Sequence, residues 1–586
     1  MATDIVSGNL ISRNYSNFRG IDLSNRKDEV HVRRSPDSLN MWKNYKSSNG
    51  KCIETRPDIV LHKAYDYTIF GLFFYTYNGK KHEIVHAGNK LYDDGNVIYS
   101  DMATQKSTRF VYENKLYWLD GKNYLVYDGK TCKEVEGYIP TTVTGMSPTG
   151  KGTILQEVNL LTGLQKNMFV ADGTSVEYQL ACPNETFDSV ETIASFDNDY
   201  KVRVWITKVI NEKVVEEEQT TGFTAYPDKG KIVFNTAPEV PYTDGQPNVT
   251  IQFKKEIKGY RDRINKCTLV EIFDNRVFFS GNPDYPHVIF NSSLNMPHYC
   301  SDLDYYEEGT SDSSVKALVS GNNALWVFKE PSQSNTTVFY HNPTLQDDGS
   351  KTYPSTHSSI STGCVATGTN FNDDIVFFSD RGLEAISGDV TTEQILAHRS
   401  TLIDNKLLNE KNYKDLVLAE YEGYLMVFID NKVYLANSNE DYTNFARYEW
   451  FYWEMNRNIT SALVKDGVLY LCSDKEIYTL TNNNETREIE SYWTTLEDEF
   501  KYPQYQKTTN KRGCVIDANG EEVSVYARTD NNKFEKIDKY KIRKGYVVPR
   551  IKKKKWKAIQ LKLQSTKPFS IYSLTLESYV GNYVKR

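Results

Sequence analysis

The chain has 586 residues with a formal net charge of −7, and 13 % of its residues are aromatic. This length suits three or four ordinary domains, or one large repeat domain with additions. The mild acidic balance argues against a chain that binds nucleic acid over its whole surface. The 42 Tyr and 8 Met favour β structure, because aromatic rings pack well on pleated, half-buried surfaces.

The sequence indicates neither metal chemistry nor membrane insertion. The eight Cys are scattered without any C-x-x-C spacing, which predicts reduced structural thiols and no metal or cofactor. No run of about 18 apolar residues occurs, so we expect no direct membrane insertion. The first residues lack a basic segment followed by an apolar one, so no secretory signal is expected.

Residues 1–58 form an irregular, polar segment with several breaks in regular structure. Ser35-Pro36-Asp37 predicts a capped short helix that contains Leu39 and Trp42. Segments this polar rarely build a core of their own. We therefore favour a strap that lies across the following domain over a free arm that binds a partner.

From about residue 59 a block recurs at intervals of 43 to 50 residues, with one exception. Each copy combines an Asp/Asn/Gly turn with an apolar or aromatic anchor, as in Asp373-Asp374 before Ile375-Val376-Phe377-Phe378. A hairpin of this kind cannot bury its own apolar face, and a four-stranded propeller blade has this length. We predict an all-β fold with a β-propeller of about seven blades, at 59–139 and 261–484. Its anchors are residues 72–75, 116–119, 277–279, 325–328, 375–378, 425–428 and 468–471.

The exception is an interval of 161 residues between the anchors at 116 and 277. It begins in a Gly/Thr/Ser-rich stretch at 144–150, which is typical of a linker. Apolar and polar residues then alternate in four runs separated by turns, which predicts a small antiparallel β-sandwich inserted at 140–260. These runs are 176–180, 200–206, 230–234 and 248–253.

Residues 485–586 follow the last block, and their strand-like runs predict a second β-sandwich that flanks the propeller. A basic tract at 539–557 lies between these strands. One interpretation is contact with nucleic-acid phosphates or an acidic partner. The preferred interpretation is a solvated hairpin edge, where lysines discourage edge-to-edge pairing. The candidate DNA or partner contacts are Lys541, Arg543, Lys544, Arg550, Lys552, Lys553, Lys554, Lys555 and Lys557.

No pattern in the sequence indicates catalysis. His82 and His86 are the closest histidine pair, but their spacing is a weak metal signal and solvated surface is the expectation. Ser379-Asp380-Arg381-Gly382 resembles half of a sialidase Asp-box, and a hairpin turn explains it better. Glu307-Glu308 are neighbours in sequence, which does not place two carboxylates across a glycosidic bond. We predict no catalytic, metal or cofactor residues and a protein that is not an enzyme.

Short motifs recur at the N-terminus and within the blocks. The first are Ser35-Pro36-Asp37-Ser38-Leu39-Asn40 and Thr55-Arg56-Pro57-Asp58, and later ones are Arg276-Val277-Phe278-Phe279-Ser280-Gly281 and Leu325-Trp326-Val327-Phe328-Lys329. Together they resemble tailed-phage virion proteins of the tail nozzle (or muzzle) and packaged-DNA stabilisation type. In that family an "SPD-x-x-N" motif and a "TRPG"-like turn precede a propeller, and Asp58 stands here where Gly is usual.

The resemblance implies a structural component of a phage tail or neck. It implies a homo-oligomer, expected as a hexameric ring, that meets the portal, the tail adaptor and other tail proteins. Such a ring forms the DNA exit conduit and helps to retain packaged double-stranded DNA in its lumen. The protein would be made in the host cytoplasm and reside in the virion.

Two alternatives remain open. The first is a tail-tip propeller that binds a host receptor or glycan through aromatic loops. Its candidate residues are Tyr305-Tyr306 and Trp450-Phe451-Tyr452-Trp453, for which core or interface packing is the preferred interpretation. The second is a glycosidase, which the missing motifs disfavour.

Overall fold

The computed structural model is all-β, as the composition predicts. It describes residues 8–48, 51–183, 189–210, 213–333, 336–347, 349, 351–387, 395–438, 448–481, 488–530 and 532–583. Within these ranges no helix is long and apolar enough to cross a membrane. The helices are Tyr45–Ser48, Tyr260–Asn265 and Asp404–Leu407, with 3-10 turns at Pro227–Lys229 and Tyr413–Asp415.

Most strands belong to four-stranded sheets, and most neighbouring strands in these sheets also follow one another in sequence. In the described part of the chain six such sheets stand alone, and a seventh set of four strands forms one end of a larger sheet. The six are Ile69–Tyr77, Lys80–Ala87, Lys90–Asp93, Asn96–Tyr99; Thr108–Tyr112, Lys115–Leu119, Tyr124–Tyr127, Cys132–Glu134; Leu269–Phe273, Arg276–Ser280, Val288–Asn291, Tyr305–Glu307; Val315–Gly321, Ala324–Lys329, Val338–His341, Ser355–His357; Gly368–Phe371, Asp374–Ser379, Gly382–Ser387, Ile395–His398; and Ser461–Lys465, Val468–Ser473, Glu476–Thr481, Asp58–Ala64. The seventh set is Val417–Tyr421, Tyr424–Ile429, Lys432–Asn437 and Glu449–Glu454.

The first and second strands of all seven sets are joined by the same kind of turn. In each turn two consecutive residues have positive φ, which is the backbone of a type I′ hairpin. Asn, Asp and Gly tolerate this conformation best, so the turn residues of the predicted repeat have a physical reason. The pairs are Asn78 and Gly79, Glu113 and Asn114, Asp274 and Asn275, Asn322 and Asn323, Asn372 and Asp373, Glu422 and Gly423, and Asp466 and Gly467.

The anchor at 72–75 lies on the first strand of its sheet, before the turn at Asn78 and Gly79, whereas the other six anchors lie on second strands. One detail of the predicted repeat is wrong, because Asp374 is not a turn residue. It begins the strand Asp374–Ser379 and is buried, and Tyr448 and Arg399 donate hydrogen bonds to its carboxylate.

By its internal contacts the chain divides into two compact units. The first comprises Met1–Phe74, Ile84–Gly88 and Thr362–Arg586, and the second comprises Tyr75–Glu83 and Asn89–Ser361. In each unit, sheets that follow one another in sequence share a core. In the first unit Val376 packs in one cluster with Leu425, and in the second unit Phe278 packs with Val327.

The sheet that begins at Ser461 is completed by a strand from the other end of the chain. Asp58–Ala64 pairs antiparallel with Glu476–Thr481, with Ile59 opposite Leu480. Ile59 belongs to the same apolar cluster as Leu469 and Leu471. Strand pairing therefore joins the start of the repeats to their end, which the sequence pattern does not reveal.

The described part of the N-terminal segment is built into the larger sheet of 13 strands. Met41–Trp42 pairs with both Ile53–Thr55 and Glu449–Glu454. The predicted short helix is wrong, because Ser38–Leu39 is a strand that pairs with Ser491–Thr494 and Asn40 has a φ of 55°. The remaining strands of this sheet are Leu10–Ser16, Tyr505–Thr529, Glu535–Val547, Ile559–Ser565 and Phe569–Tyr583.

The region predicted as an insertion has an apolar core drawn from residues 143–253 only. Its strand Thr141–Met146 pairs in parallel with Leu164–Phe169, which differs from the antiparallel prediction. Between the two, Val158 and Leu160 leave this region and pack against Phe110 and Val277. The strands of this region form sheets of six, three and two strands: Thr153–Ile154, Thr141–Met146, Leu164–Phe169, Val249–Lys254, Arg203–Ile210, Lys213–Gln219; Glu177–Gln179, Lys231–Phe234, Phe223–Tyr226; and Ala181–Pro183, Val190–Thr192. Outside this region, Thr344–Leu345 pairs with Lys351–Thr352.

Candidate functional site

The N-terminal motif residues are buried and form hydrogen bonds with segments that are distant in sequence. Asn40 Oδ1 accepts hydrogen bonds from Arg56 Nε at 2.9 Å and from the backbone N–H of Glu454 at 2.9 Å. The Asn40 amide donates to the carbonyl of Glu490 at 2.9 Å. Arg56 also donates to the carbonyls of Pro57 at 2.8 Å and Glu454 at 3.0 Å. The motif thus connects the strap, the four strands at 417–454 and the C-terminal region.

Ser35 and Asp37, at the start of the same motif, contact the C-terminal strand Ser491–Thr494. Ser35 Oγ donates to the carbonyl of Thr494 at 2.6 Å, and Tyr492 donates its hydroxyl to Asp37 Oδ1 at 2.9 Å. These contacts hold the segment in strand pairing, so the Ser-Pro-Asp sequence acts here in tertiary contacts and not as a helix cap.

The basic tract lies on Glu535–Val547 and on the segment that follows it. Glu535–Val547 pairs only with Tyr505–Thr529, so its other edge has no strand partner among the described residues. Lysines along such an edge fit the predicted alternative, in which charge discourages pairing with another chain.

Four lysines of the tract are paired with carboxylates. Strand pairing with Tyr505–Thr529 brings Glu521 and Glu522 beside the tract. Glu535 and Glu499 form ion pairs with lysines farther along it. The ion pairs are Lys539 with Glu522 at 3.1 Å, Lys541 with Glu521 at 2.9 Å, Lys553 with Glu535 at 2.5 Å and Lys557 with Glu499 at 3.3 Å.

The other predicted contacts form no such close ion pair, although Arg543 attracts the Glu521 carboxylate at longer range. Arg543, Arg550, Lys552, Lys554 and Lys555 are exposed, and none has a carboxylate within ion-pair distance among the described residues. Lys544 belongs to the strand Glu535–Val547, and its side chain lies outside the described part of the chain. The structure therefore separates the predicted set into neutralised and free cations.

The segment at 551–556 is fixed to the core at both ends. Ile551 and Trp556 are buried, at 0 % and 1 % exposure, whereas Lys552, Lys554 and Lys555 between them are exposed. Trp556 is therefore a core residue and not a stacking platform. Thr509 holds the middle of the segment, because its backbone N–H donates to the carbonyl of Lys553 at 2.9 Å.

Lys507 supports this segment from below. It is fully buried, and its ammonium donates to the carbonyls of Tyr502 at 2.8 Å, Tyr505 at 3.0 Å and Lys557 at 2.8 Å. Burial lowers the pKa of Lys507 to about 8, against the opposing effect of Glu499. Three backbone acceptors thus hold one ammonium beneath the exposed lysines.

Sequence reasoning missed two further cations, Lys511 and Arg512. Both are exposed without a carboxylate at ion-pair distance among the described residues. They follow Thr509, whose hydroxyl donates to the carbonyl of Ile551 at 2.8 Å, so they continue the chain beside the basic segment. The adjacent Lys-Arg pair was a visible signal, but the strand register was not. We define the basic surface as Lys511, Arg512, Arg550, Lys552, Lys554 and Lys555.

The weaker candidates from the sequence are structural in this fold. The expectation of solvated surface for His82 and His86 is wrong, because both are buried, and His86 Nε2 lies 3.1 Å from the carbonyl of Gly88. His82 Nδ1 lies 2.8 Å from Asp93 Oδ2, which also accepts the Tyr127 hydroxyl at 2.6 Å. His82, Asp93 and Asp94 could each offer a metal-ligand atom within 4.8 Å of the others, and the buried Asp93 Oδ1 has no hydrogen-bond partner among the described residues.

Most of the remaining acidic and aromatic candidates are turn or core residues. Asp380 and Arg381 form the turn between two strands, as predicted. Glu308 is fully buried and accepts the Ser355 hydroxyl at 2.6 Å. Of the aromatic candidates Tyr305 is 42 % exposed, whereas Trp450, Phe451, Tyr452 and Trp453 are buried at 0 to 2 % exposure.

One ionisable cluster was not predicted from the sequence. His398 Nδ1 lies 3.0 Å from Glu384 Oε1, and its Nε2 lies 2.7 Å from Asp404 Oδ2. These carboxylates, Asp404 first, raise the pKa of His398 to about 9. The Ser400 hydroxyl donates to Asp404 at 2.6 Å. Pairing of Gly382–Ser387 with Ile395–His398 creates the cluster, so no sequence spacing could indicate it.

Comparison with known proteins adds little. No protein-family model matches the chain, and no curated protein matches it. Similar solved structures include three of an exo-β-1,3-galactanase from Phanerochaete chrysosporium, two with β-1,3-galactotriose and one with galactose. Their identities are 7 %, 8 % and 8 %, with TM-scores of 0.22, 0.20 and 0.21. Each covers 53 % of this chain and 95 %, 94 % and 95 % of the galactanase chain, and scores of this size carry no argument about function.

Proposed function

We propose that the protein is a structural ring subunit of a phage tail or neck, built on a seven-bladed β-propeller. The seven four-stranded sets, with identical first turns, support the blades. The pairing of Asp58–Ala64 with Glu476–Thr481 supports a closed circular array, because it joins the last set to the start of the repeats. The regions 140–260 and 485–586 would be β-sandwiches that flank the propeller.

The observation that carries the assignment is the role of the motif residues behind the family resemblance. Asn40 and Arg56 are buried and hold three parts of the chain together. Residues used in this way build a stiff scaffold, and a subunit of a DNA exit conduit needs stiffness and lateral interfaces. We propose a hexameric ring in the virion, below the portal and adaptor, around packaged DNA.

Electron microscopy and light scattering of the purified full-length chain test this proposal. The chain is measured alone and after mixing with DNA-filled phage heads that carry portal and adaptor. We expect rings with a central opening and the mass of a hexamer of 67.5 kDa chains, in at least the second condition. Monomers that neither form rings nor add to heads would overturn the proposal.

The receptor-binding alternative lacks comparable support. Its main aromatic candidates, Trp450 to Trp453, are buried in the core and cannot meet a sugar in this fold. We also propose that the protein is not an enzyme. Incubation with host polysaccharide checks this point, and the release of reducing ends by the full-length chain would contradict it.

A further inference from the structure

The basic surface gathers positive charge that the chain itself does not neutralise. Its six cations are exposed, while Lys539, Lys541, Lys553 and Lys557 of the same tract are paired with carboxylates. The chain as a whole has a net charge of −7, so this concentration runs against its overall balance. Like charges held close together are unfavourable unless a counter-charge approaches them.

The surface is also held in place by its surroundings. Ile551 and Trp556 anchor the segment in the core, and the Lys507 ammonium binds the carbonyl of Lys557 beneath it at 2.8 Å. Two Thr509 contacts join the segment to the strand that leads to Lys511 and Arg512. A preorganised set of cations loses less conformational entropy on binding a polyanion than lysines on a free tail would.

We infer that the basic surface binds the phosphate backbone of double-stranded DNA without regard to base sequence. Phosphate contacts from Lys and Arg give affinity but no sequence information. An acidic protein partner is the other counter-charge to consider. Protein interfaces are depleted in Lys and centred on apolar anchors, whereas the apolar residues of this segment, Ile551 and Trp556, are buried. Tyr546, four residues before Arg550 in the sequence, is 74 % exposed and carries a hydroxyl donor that suits phosphate oxygens.

The inference deepens the proposed function and rests on it only for the statement that the DNA is packaged genome. Bound at this surface, DNA would meet a positive site on a chain that is otherwise mildly acidic. Such a site would slow the passage of a duplex locally, while the acidic remainder would let it slide.

The test compares two variants of the full-length chain with equal net charge. In the first, Arg550→Gln, Lys552→Gln, Lys554→Gln and Lys555→Gln remove four unpaired cations. In the second, Lys539→Gln, Lys541→Gln, Lys553→Gln and Lys557→Gln remove the four paired ones. Binding of a labelled duplex is followed by fluorescence anisotropy from 50 to 200 mM NaCl, for two unrelated base sequences.

We expect the wild-type chain to bind both duplexes equally, with an affinity that falls steeply as salt rises. The first variant should make the log–log salt slope shallower by about 3.6, or roughly 0.9 for each of four phosphate contacts. The second should change the slope by less than about 1. Equal effects of both variants, or no binding by the wild type at 50 mM NaCl, would overturn the inference.

A competition experiment separates DNA from an acidic protein partner. Poly-glutamate and unlabelled duplex are added at equal charge concentration to the labelled complex. We expect the duplex to compete at least tenfold better, and equal competition would overturn the inference. Ring formation is scored separately by microscopy, so rings without DNA binding refute only the inference, and DNA binding without rings refutes only the proposed function.

Discussion

Single buried side chains connect parts of this chain that lie hundreds of residues apart. Arg56 is 3 % exposed, and its guanidinium donates hydrogen bonds to Asn40 Oδ1 and to the backbone carbonyl of Glu454. Lys43 and Glu449 form a buried ion pair at 3.0 Å in the same region. Because the partners are backbone groups or buried carboxylates, removing one side chain leaves the others without water to replace it.

We expect Arg56→Lys to lower the free energy of unfolding by about 3 kcal/mol. A lysine ammonium cannot reach Asn40 Oδ1 and the carbonyls of Pro57 and Glu454 together, as the planar guanidinium does. Urea unfolding followed by tryptophan fluorescence measures the change. Arg26→Lys is the control, since the Arg26 side chain is 73 % exposed, and it should change stability by less than about 0.5 kcal/mol. Equal losses in the free energy of unfolding for the two variants would show that Arg56 does not connect these segments.

His398 makes stability depend on pH. Both ring nitrogens face carboxylates, so both must donate, and the imidazolium is the form that fits Glu384 and Asp404. Its folded pKa of about 9 lies above the ordinary value of 6.5. The stabilisation is therefore complete below about pH 6.5 and is lost as the pH rises through about 9.

We expect His398→Gln to cost on the order of 2 kcal/mol at pH 6, allowing for solvent screening of a side chain that is 30 % exposed. At pH 10 the difference from wild type should shrink to a small fraction of that value. Thermal unfolding of both proteins at the two pH values provides the measurement. The exposed His62→Gln is the matched control for the loss of an imidazole that does not lie between two carboxylates. An equal difference in stability between wild type and His398→Gln at both pH values would contradict the presence of an imidazolium at this position.

At the scale of elements, the seven type I′ hairpins set the geometry of the sheets. Their twist matches that of the strands they join, and positive φ at two successive residues is the cost. Five of the seven pairs consist entirely of Asn, Asp and Gly, and the other two have Glu at the first position, at Glu113 and Glu422. Glu113 has a φ of 46° and is exposed, so its substitution isolates the backbone effect.

We expect Glu113→Asn to raise stability by about 0.5 kcal/mol and Glu113→Val to lower it by about 1 kcal/mol. Asn tolerates the left-handed conformation, whereas a β-branched side chain clashes with its own backbone there. The same Val substitution at the exposed strand residue Lys115 should not destabilise, because Val suits a strand. Chemical denaturation of the three variants gives the order, and a loss with Lys115→Val larger than that with Glu113→Val would contradict it.

Local turn chemistry and apolar anchors made the sheets predictable. Asp274-Asn275 before Val277-Phe278-Phe279 indicates a hairpin, because both signals lie within a few residues. The strand pairing of Asp58–Ala64 escaped prediction, since its partner is far away in sequence and β pairing carries no marker of distance. The false helix at Ser35 to Trp42 arose because local capping signals cannot anticipate pairing with Ser491–Thr494.

The candidate site was predictable in part for a similar reason. The run Lys552 to Lys555 is visible in the sequence as positive charge. Its division into free and neutralised cations depends on Glu521 and Glu522, which strand register brings beside Lys541 and Lys539. Lys511 and Arg512 belong to the basic surface because Thr509, which precedes them, is hydrogen-bonded to Ile551, and the sequence does not show this contact. Composition thus indicates where charge is concentrated, and tertiary structure determines which charges remain available.

At the scale of the whole molecule, the N-terminal segment is part of the core of the first unit. Its apolar side chains lie in one cluster with side chains from the last two four-stranded sets and the C-terminal region. Those from the segment are Tyr15, Phe18, Val30, Met41, Trp42 and Ile53, and Ile59 follows on the strand Asp58–Ala64.

We expect a chain that starts at Asp66 to be insoluble, because it exposes this cluster and leaves Glu476–Thr481 without its partner strand. Co-expression of residues 8–65 as a separate polypeptide should restore soluble protein in which the two pieces purify together. The same polypeptide with Arg56→Lys should restore less, as a control for specific docking. A soluble chain from Asp66 with cooperative unfolding of its own would contradict this expectation.

The pairing of Asp58–Ala64 with Glu476–Thr481 also constrains the order in which the chain can fold during synthesis. During synthesis Asp58–Ala64 leaves the ribosome roughly 410 residues before its partner Glu476–Thr481. At about 5–20 residues per second, the first strand waits for roughly 20–80 s. Throughout that interval its backbone groups are satisfied only by water or by transient partners. The many polar residues that precede this strand then serve synthesis as well as the finished fold, because they help to keep the apolar side chains of the waiting segment in solution.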